Sequence, residues 1–202
     1  MLMKDKVVII SGIGPGLGVE LALLAAREGA EAVVLAARTA SKLSDAAAQI
    51  AGLGLGTRTL EVPTDIAKPE DCRNLIEKSV AAFGRIDALV NSAYIPGKFG
   101  SWEKWDFDDW RKTLDVNLFG SLTLSREAAK VMKDQPARGA IVMVNSMVTK
   151  QVISAQAGYA TSKGALATAT TAMAQELAPL GIRVNSCFMG WMWGANVKGF
   201  VE

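Results

Sequence analysis

Tyr159 and Lys163 stand four residues apart at the head of a strong helical pattern, a spacing that places both side chains on one helix face. Tyrosine, with an unperturbed pKa of about 10, is a poor proton-transfer group at neutral pH. A lysine ammonium within a few ångströms favours the phenolate and lowers that value, so the pair reads as an acid–base device. Tyr-x-x-x-Lys alone arises often by chance, and its neighbours decide. Ser146 follows an apolar run at 140–145 and lies thirteen residues before Tyr159. A hydroxyl there can hydrogen-bond a substrate oxygen while Tyr159 gives or takes the proton. Asn117, in Asp115-Val116-Asn117-Leu118, is a poor helix former inside an apolar helical stretch. It reads as a satisfied buried amide, which is compatible with a place in the site. The chain holds no histidine. That rules out Ser-His-Asp and Cys-His mechanisms and argues against an ordinary zinc site, so no metal is expected.

A second motif, Ser11-Gly12-Ile13-Gly14-Pro15-Gly16-Leu17-Gly18, lies between an apolar run and a helical pattern. Glycines there permit positive φ and let the backbone approach a pyrophosphate, which the free N–H groups of the helix start attract. The strand–turn–helix context makes this far stronger than a lone glycine pattern, whose other reading is a tight turn without ligand. The end of the second apolar run bears on the cofactor. An NAD-selective site holds the ribose 2′-OH with a carboxylate about 20 residues past the loop; here the chain reads Leu35-Ala36-Ala37-Arg38-Thr39. The missing acid removes repulsion toward a 2′-phosphate, and Arg38 can hold that group through charge-assisted bonds. The alternative is that Arg38 stacks on adenine or points to solvent. NADP(H) is favoured and NAD(H) is possible.

The elements that must position these residues follow from the apolar pattern. Parallel strands covered on both faces read as short, nearly continuous apolar runs, and six such runs occur, at 6–11, 32–37, 57–62, 88–91, 140–145 and 183–188. Helical patterns lie between them over 16–28, 41–51, 69–83, about 108–133 and 159–180. Pro69 suits the first turn of its helix, and Asp108 and Asp109 suit the positive end of a helix dipole. The alternation predicts an α/β fold: a doubly wound parallel sheet of the Rossmann type in three α/β/α layers. No repeat, low-complexity tract or linker interrupts it, so 1–202 reads as a single domain carrying both the glycine loop and the catalytic candidates.

Composition narrows the partners. The 202 residues suffice for one sizeable core. Half are hydrophobic, and the charges are interspersed and nearly cancel at +2, so no basic face for nucleic acid stands out. No uncharged stretch reaches the roughly 18 residues of a membrane span, and the N-terminal apolar run is a first strand rather than a signal peptide. Cys72 and Cys187 form no Cys-x-x-Cys pair and read as reduced thiols of a cytoplasmic protein.

In order, the glycine loop, Asp65-Ile66, Asn91-Ser92-Ala93-Tyr94, Asn117, Ser146, Tyr159, Lys163 and Arg183-Val184-Asn185 resemble the motif series of the short-chain dehydrogenases/reductases over almost the whole chain. The resemblance implies reversible hydride transfer between a nicotinamide cofactor and a small-molecule ketone or secondary alcohol. It implies a tetrad of Asn117, Ser146, Tyr159 and Lys163. Tyr159 would be the acid or base, Lys163 would also hold the nicotinamide ribose, and Asn117 would bend its helix and hold a water against Lys163. Asp65 and Ile66 would contact adenine, and Asn91 and Ala93 would line the adenosine ribose. Gly12, Pro15, Gly16, Leu17, Arg38, Gly190 and Met192 complete the cofactor-binding set. Tyr94, Val148 and Trp191 are substrate candidates.

Four positions depart from that pattern. Tyr94 stands where the family has glycine, and Met189-Gly190 where it has Pro-Gly. Gly194 takes the place of a threonine near the nicotinamide amide, and Pro15 that of a basic residue frequent in NADP-dependent members. Trp102, Trp105 and Phe107, with Trp191, Met192 and Trp193, suggest an apolar pocket for a bulky alicyclic or steroid-like ketone. The other reading is that the tryptophans before the long helix cover a sheet edge or a subunit contact. Family members continue past this point into a helical segment and a seventh strand. The fold is therefore expected to lack both, with 189–202 the start of a substrate lid and the chain a fragment, a natural truncation or the ordered part of a longer protein.

The helical patterns from 108 and 159 are apolar at too many positions for one stripe, Ala165, Ala167, Ala169 and Ala172 among them, so both are expected to be covered on two sides. In the family these helices pair with their copies, which implies a homodimer or homotetramer. A different class, a catalytically weak NADP-binding sensor or scaffold, is favoured only by the missing C-terminal portion. A Rossmann-like methyltransferase would want an acid after the second strand and has no use for Ser146, Tyr159 and Lys163.

Overall fold

The structure, a computed structural model, describes residues 1–192. Six strands form one parallel sheet: β1 (Val7–Ser11), β2 (Ala32–Ala37), β3 (Arg58–Pro63), β4 (Ala88–Asn91), β5 (Ala140–Ser146) and β6 (Arg183–Met189). Their order is β3-β2-β1-β4-β5-β6. This is the doubly wound arrangement expected from the sequence, with six strands among the described residues.

A parallel sheet needs cover on both faces, and the alternation of side chains along β1 shows how it is met. Val7 and Ile9 join Val34, Leu89, Ile141 and Met143 in a core under the helices α3 (Pro69–Phe83), α5 (Ser121–Met132) and α6 (Ala157–Leu177). Val8 and Ile10 join Val33 and Leu35 in a second core under α1 (Leu17–Arg27) and α2 (Ala40–Gly52). Fully buried Ile9, Leu35, Leu89 and Ile141 contribute about 1.5–3 kcal/mol apiece. Pro69 opens α3 as expected, and Gly84 ends it in the left-handed conformation.

The long helix expected over 108–133 is three pieces. The helix α4 (Phe107–Leu114) starts on Asp106, whose carboxylate accepts from the N–H groups of Asp108 and Asp109. A π-helical stretch, Asp115–Gly120, then leads into α5. Asn117 sits in that stretch with its amide bonded outside the helix. Gly120 lies so close to the 65–66 loop that a Cβ there would fall 2.7 Å from the Ile66 oxygen. Tertiary contacts on both sides thus set the irregular turn.

The chain reverses direction of winding between β1 and β4, where α/β sheets open a crevice at their carboxyl ends. The loops after these strands touch: a Cβ on Gly12 would lie 2.6 Å from Ala93 Cα. Among the described residues no helix is long and apolar enough to cross a membrane.

Candidate active site

The glycine loop is built for close approach. Gly12 has φ +95, and its N–H donates to the Ala36 carbonyl at 2.8 Å. Gly18 packs directly on the Gly12 carbonyl. Gly16 has φ +107, and a Cβ there would meet nothing within 4 Å, so its glycine serves conformation and open space. No side chain caps α1 at Gly16, which leaves the amides from Leu17 onward available to an anion. Ser11 and Asn91 pair across β1 and β4, and both Ser11 Oγ and Asn91 Oδ1 are buried with no hydrogen-bond partner among the described residues. Asn91 spends its other end on Ser125 Oγ, 2.8 Å away. Unmet oxygens at a crevice floor beside an open, uncapped glycine loop fit a hydroxyl- and phosphate-bearing nucleotide.

Arg38 follows β2 and is exposed. With Pro63, Thr64, Asp65, Lys68 and Asp71 it lines a cleft of about 280 Å³. Asp65 is fixed there by its N–H, which donates to Asp71 Oδ2 at 2.9 Å, and by its own carboxylate, which accepts from the Ala67 N–H at 3.1 Å. The Ile66 side chain lies in the core rather than the cleft. Lys42, which the sequence reading passed over, reaches the phosphate loop: its Cδ lies 4.0 Å from the position of a Gly14 Cβ. The spacing Arg38-x-x-x-Lys42 at a helix start was the available signal.

The catalytic candidates come together at the head of α6. Tyr159 and Lys163 share that helix, and Ser146 ends β5 beside them. Ser146 lies close enough to Tyr159 for its hydroxyl to favour the phenolate, while Ser146 Oγ accepts from the Val148 N–H at 3.3 Å. Lys163 is 3% exposed and donates to the Val144 carbonyl at 2.9 Å. Burial lowers its pKa to about 8. Its Nζ lies 5.8 Å from the Tyr159 ring centre. The Tyr159 pKa is raised, not lowered as expected of a tyrosine beside a lysine. Burial pushes the phenol up, Tyr94 adds to the rise, and the Ser146 hydroxyl opposes both.

Asn117 contacts Lys163 through no direct bond given by the structure; its amide holds the loop after β4 and the first turn of α6 instead. Its Oδ1 accepts from the Ile95 N–H, and its Nδ2 donates to the Ile95 carbonyl and to Ser162 Oγ. Ser162 in turn donates to the Tyr159 carbonyl at 2.7 Å. Ser162 went unnoticed in the sequence because one serine in an alanine- and threonine-rich helix carries no local mark. Gly158 lets α6 approach α4: a Cβ there would stand 2.9 Å from the Trp110 ring.

On the substrate side, Tyr94 is 50% exposed with its ring centre 6.0 Å from that of Tyr159. Val148 is 3% exposed and meets Ser146 through its backbone. Gly190, Trp191 and Met192 follow β6 and are exposed. Trp105, Phe107 and Trp110 pack on one another at the start of α4, with ring centres 5.0–6.4 Å apart. The rest of the expected lid, Trp193 and Gly194 included, lies outside the described residues. Both cysteines are free, and among the described residues no group of His, Cys, Asp and Glu could hold a metal.

This geometry has relatives. A family model described as short chain dehydrogenase matches residues 6–199. An uncharacterised oxidoreductase of Staphylococcus aureus is 33% identical over 191 residues, covering 94% of this chain and 79% of its own length. Among solved structures, NAD+-bound xylitol dehydrogenase superposes with a TM-score of 0.91 at 30% identity, over 98% of this chain and 74% of that one. The 3-ketoacyl-(acyl-carrier-protein) reductase of Brucella melitensis, complexed with NADH, gives 0.86 at 29% identity, over 93% and 76%.

Proposed function

The chain belongs to the short-chain dehydrogenase family of oxidoreductases, and we propose that it interconverts a ketone and a secondary alcohol with Tyr159 as the acid–base group. The observation that carries this reading is Tyr159 placed beside Ser146, whose hydroxyl opposes the rise of its pKa, and flanked by buried Lys163, at the crevice where the glycine loop and the β4 loop meet. Held by the glycine loop and Lys163, a reduced nicotinamide would supply the hydride that the carbonyl carbon requires. Burial keeps the Tyr159 proton on its oxygen at neutral pH, ready to pass to the carbonyl oxygen as the alcohol forms; oxidation returns it. Ser146 offers a second hydrogen bond to that oxygen. Lys163, charged below about pH 8, holds positive potential beside the phenol and would bind the nicotinamide ribose.

Gly12, Gly16 and Leu17 would hold the pyrophosphate, Asp65 the adenine side, and Asn91 with Ala93 the adenosine ribose. NADP(H) is the favoured cofactor because Arg38 lines the cleft, Lys42 reaches the glycine loop beside Gly14 and no acid directly follows β2. The two neighbours above carry NAD+ and NADH, so NAD(H) is the competing choice. Residues 1–202 act as one domain, in a compartment where Cys72 and Cys187 stay reduced. A second copy of the chain covers α5, the π-helical stretch before it and α6, where Phe119 and Ala172 are exposed and Ala165, Ala167 and Ala169 half-buried.

The test follows nicotinamide absorbance with a panel of ketones and alcohols and both cofactors. Turnover is expected, faster with NADPH. Cofactor binding without turnover of any carbonyl compound would remove the enzyme reading and leave a sensor.

A further inference from the structure

Tyr94 is the one member of the β4 loop motif whose side chain departs from a glycine, and the fold holds it in place from both sides. Before it, the Ser92 N–H donates to the Ser11 carbonyl at 2.9 Å and Ala93 lies against Gly12. After it, Asn117 grips both backbone groups of Ile95. The backbone is therefore anchored on both sides of position 94. The ring reaches the catalytic group: its centre lies 6.0 Å from the Tyr159 ring at 55°, within the range of attractive aromatic pairs. The Lys163 ammonium stands 5.9 Å from the same centre. Yet half of the residue remains exposed. A tyrosine that only filled the core would be covered. This one is fixed by two catalytic side chains and leaves aromatic surface free beside the hydroxyl that would meet the substrate oxygen.

We propose that Tyr94 is a specificity-determining residue, an aromatic wall of the substrate site that selects carbonyl compounds bearing a flat aromatic ring next to the reacting carbon. The proposal rests on the oxidoreductase reading for its substrate and on the Tyr94–Tyr159–Lys163 geometry for its selectivity. A saturated ring of the same size would fill the space beside Tyr94 without the favourable edge or offset contact between π systems, so aromaticity rather than bulk is what the wall would read. Tyr94 needs its ring for this, not its hydroxyl.

Acetophenone and cyclohexyl methyl ketone form a probe pair matched in size and differing in aromaticity. Wild-type protein, Tyr94→Phe and Tyr94→Leu are compared by kcat/KM with NADPH, and by ligand-observed NMR titration of each ketone onto protein saturated with NADP+. The wild type should favour acetophenone in binding by about 3- to 10-fold, the worth of one aromatic pair. Tyr94→Phe should keep that preference, and Tyr94→Leu should bring it close to one, chiefly through a higher KM for acetophenone. An acetophenone preference unchanged in Tyr94→Leu, or no preference in the wild type, overturns the proposal. So does equal loss for both ketones in both variants, which marks a purely structural role. A Tyr94-dependent binding preference without turnover upholds the wall and counts against the oxidoreductase reading.

Discussion

Asn117 and Ile95 are joined by two hydrogen bonds, the Ile95 N–H donating to Asn117 Oδ1 at 2.8 Å and Asn117 Nδ2 donating to the Ile95 carbonyl at 3.0 Å. The same amide donates to Ser162, which donates to the Tyr159 carbonyl. One buried side chain therefore ties the Tyr94 loop to the turn that presents Tyr159. Asn117→Ala leaves these groups unmet, and a buried orphan costs about 1–3 kcal/mol. Stability should fall by roughly 2–4 kcal/mol, with a loss of turnover larger than the loss of cofactor affinity. A urea midpoint and kcat matching the wild type would contradict the clamp.

Tyr159→Phe removes the hydroxyl proposed to donate the proton and leaves the ring. A positioned acid–base group is worth about 10² to 10⁴ in rate, so kcat should drop by that much while the Kd for NADPH changes little. Lys163→Ala should harm both quantities, because Lys163 would serve both. Stopped-flow turnover and fluorescence titration separate the cases, and near-normal kcat in Tyr159→Phe would end the assignment.

All six strands stand within a residue of their expected bounds because continuous apolar runs such as Val7–Ile10 mark doubly covered strands directly. The glycine loop and the Tyr159–Lys163 spacing were equally legible, since a short local pattern defines each. What the sequence did not show is tertiary. The π-helical stretch at Asp115–Gly120 exists because Asn117 bonds to Ile95 and Ser162, partners 22 and 45 residues away. The Tyr159 pKa moves opposite to expectation because burial outweighs the opposing influence of Ser146, while the Lys163 Nζ turns to the Val144 carbonyl. Spacing alone gives neither depth nor the direction in which a long side chain turns.

Lys163 makes stability depend on pH. Its folded pKa, about 8, lies below the unperturbed value of 10.5 because burial disfavours the charged form. Between these values the unfolded chain binds more protons than the native one, so stability rises with pH from about 8. The cost of burying the charge at neutral pH is roughly 3 kcal/mol at 1.36 kcal/mol per pKa unit. Lys163→Met should remove it, making the variant more stable at pH 7 and the difference smaller by pH 10. Above that, the raised pKa of Tyr159 acts in the opposite sense. Urea unfolding at pH 7, 8, 9 and 10 reads this directly; parallel profiles would show that Lys163 is not buried as a cation.

Arg38 and Lys42 would divide the work of holding a 2′-phosphate, one at the end of β2 and the other a helical turn on, beside Gly14. A hydrogen bond to a charged group is worth about 1.5–3 kcal/mol. Arg38→Ala should therefore weaken NADPH by that amount and leave NADH almost unchanged, and Lys42→Ala should do the same to a smaller degree. Calorimetric titration of both cofactors decides. Equal losses for the two would place Arg38 on the adenine, with no tuning to phosphate.

Gly12 and Gly16 both have positive φ, yet a methyl group should fail at them for different reasons. At Gly12 it would stand 2.6 Å from Ala93 Cα, and backbone cannot yield as a side-chain tip can. Backbone strain of about 1–3 kcal/mol adds to an overpacking cost of similar size, so Gly12→Ala should lose several kcal/mol and push the β4 loop away from β1. At Gly16 nothing lies within 4 Å, and strain alone should cost about 1–3 kcal/mol. Its methyl group would instead intrude where the loop is proposed to meet a pyrophosphate, so Gly16→Ala should bind NADPH at least tenfold more weakly, about 1.4 kcal/mol, with only a modest fall in Tm. Thermal unfolding and cofactor titration of the two variants should rank them in opposite orders. Equal Tm values would mean that the glycine loop and the β4 loop do not touch in solution.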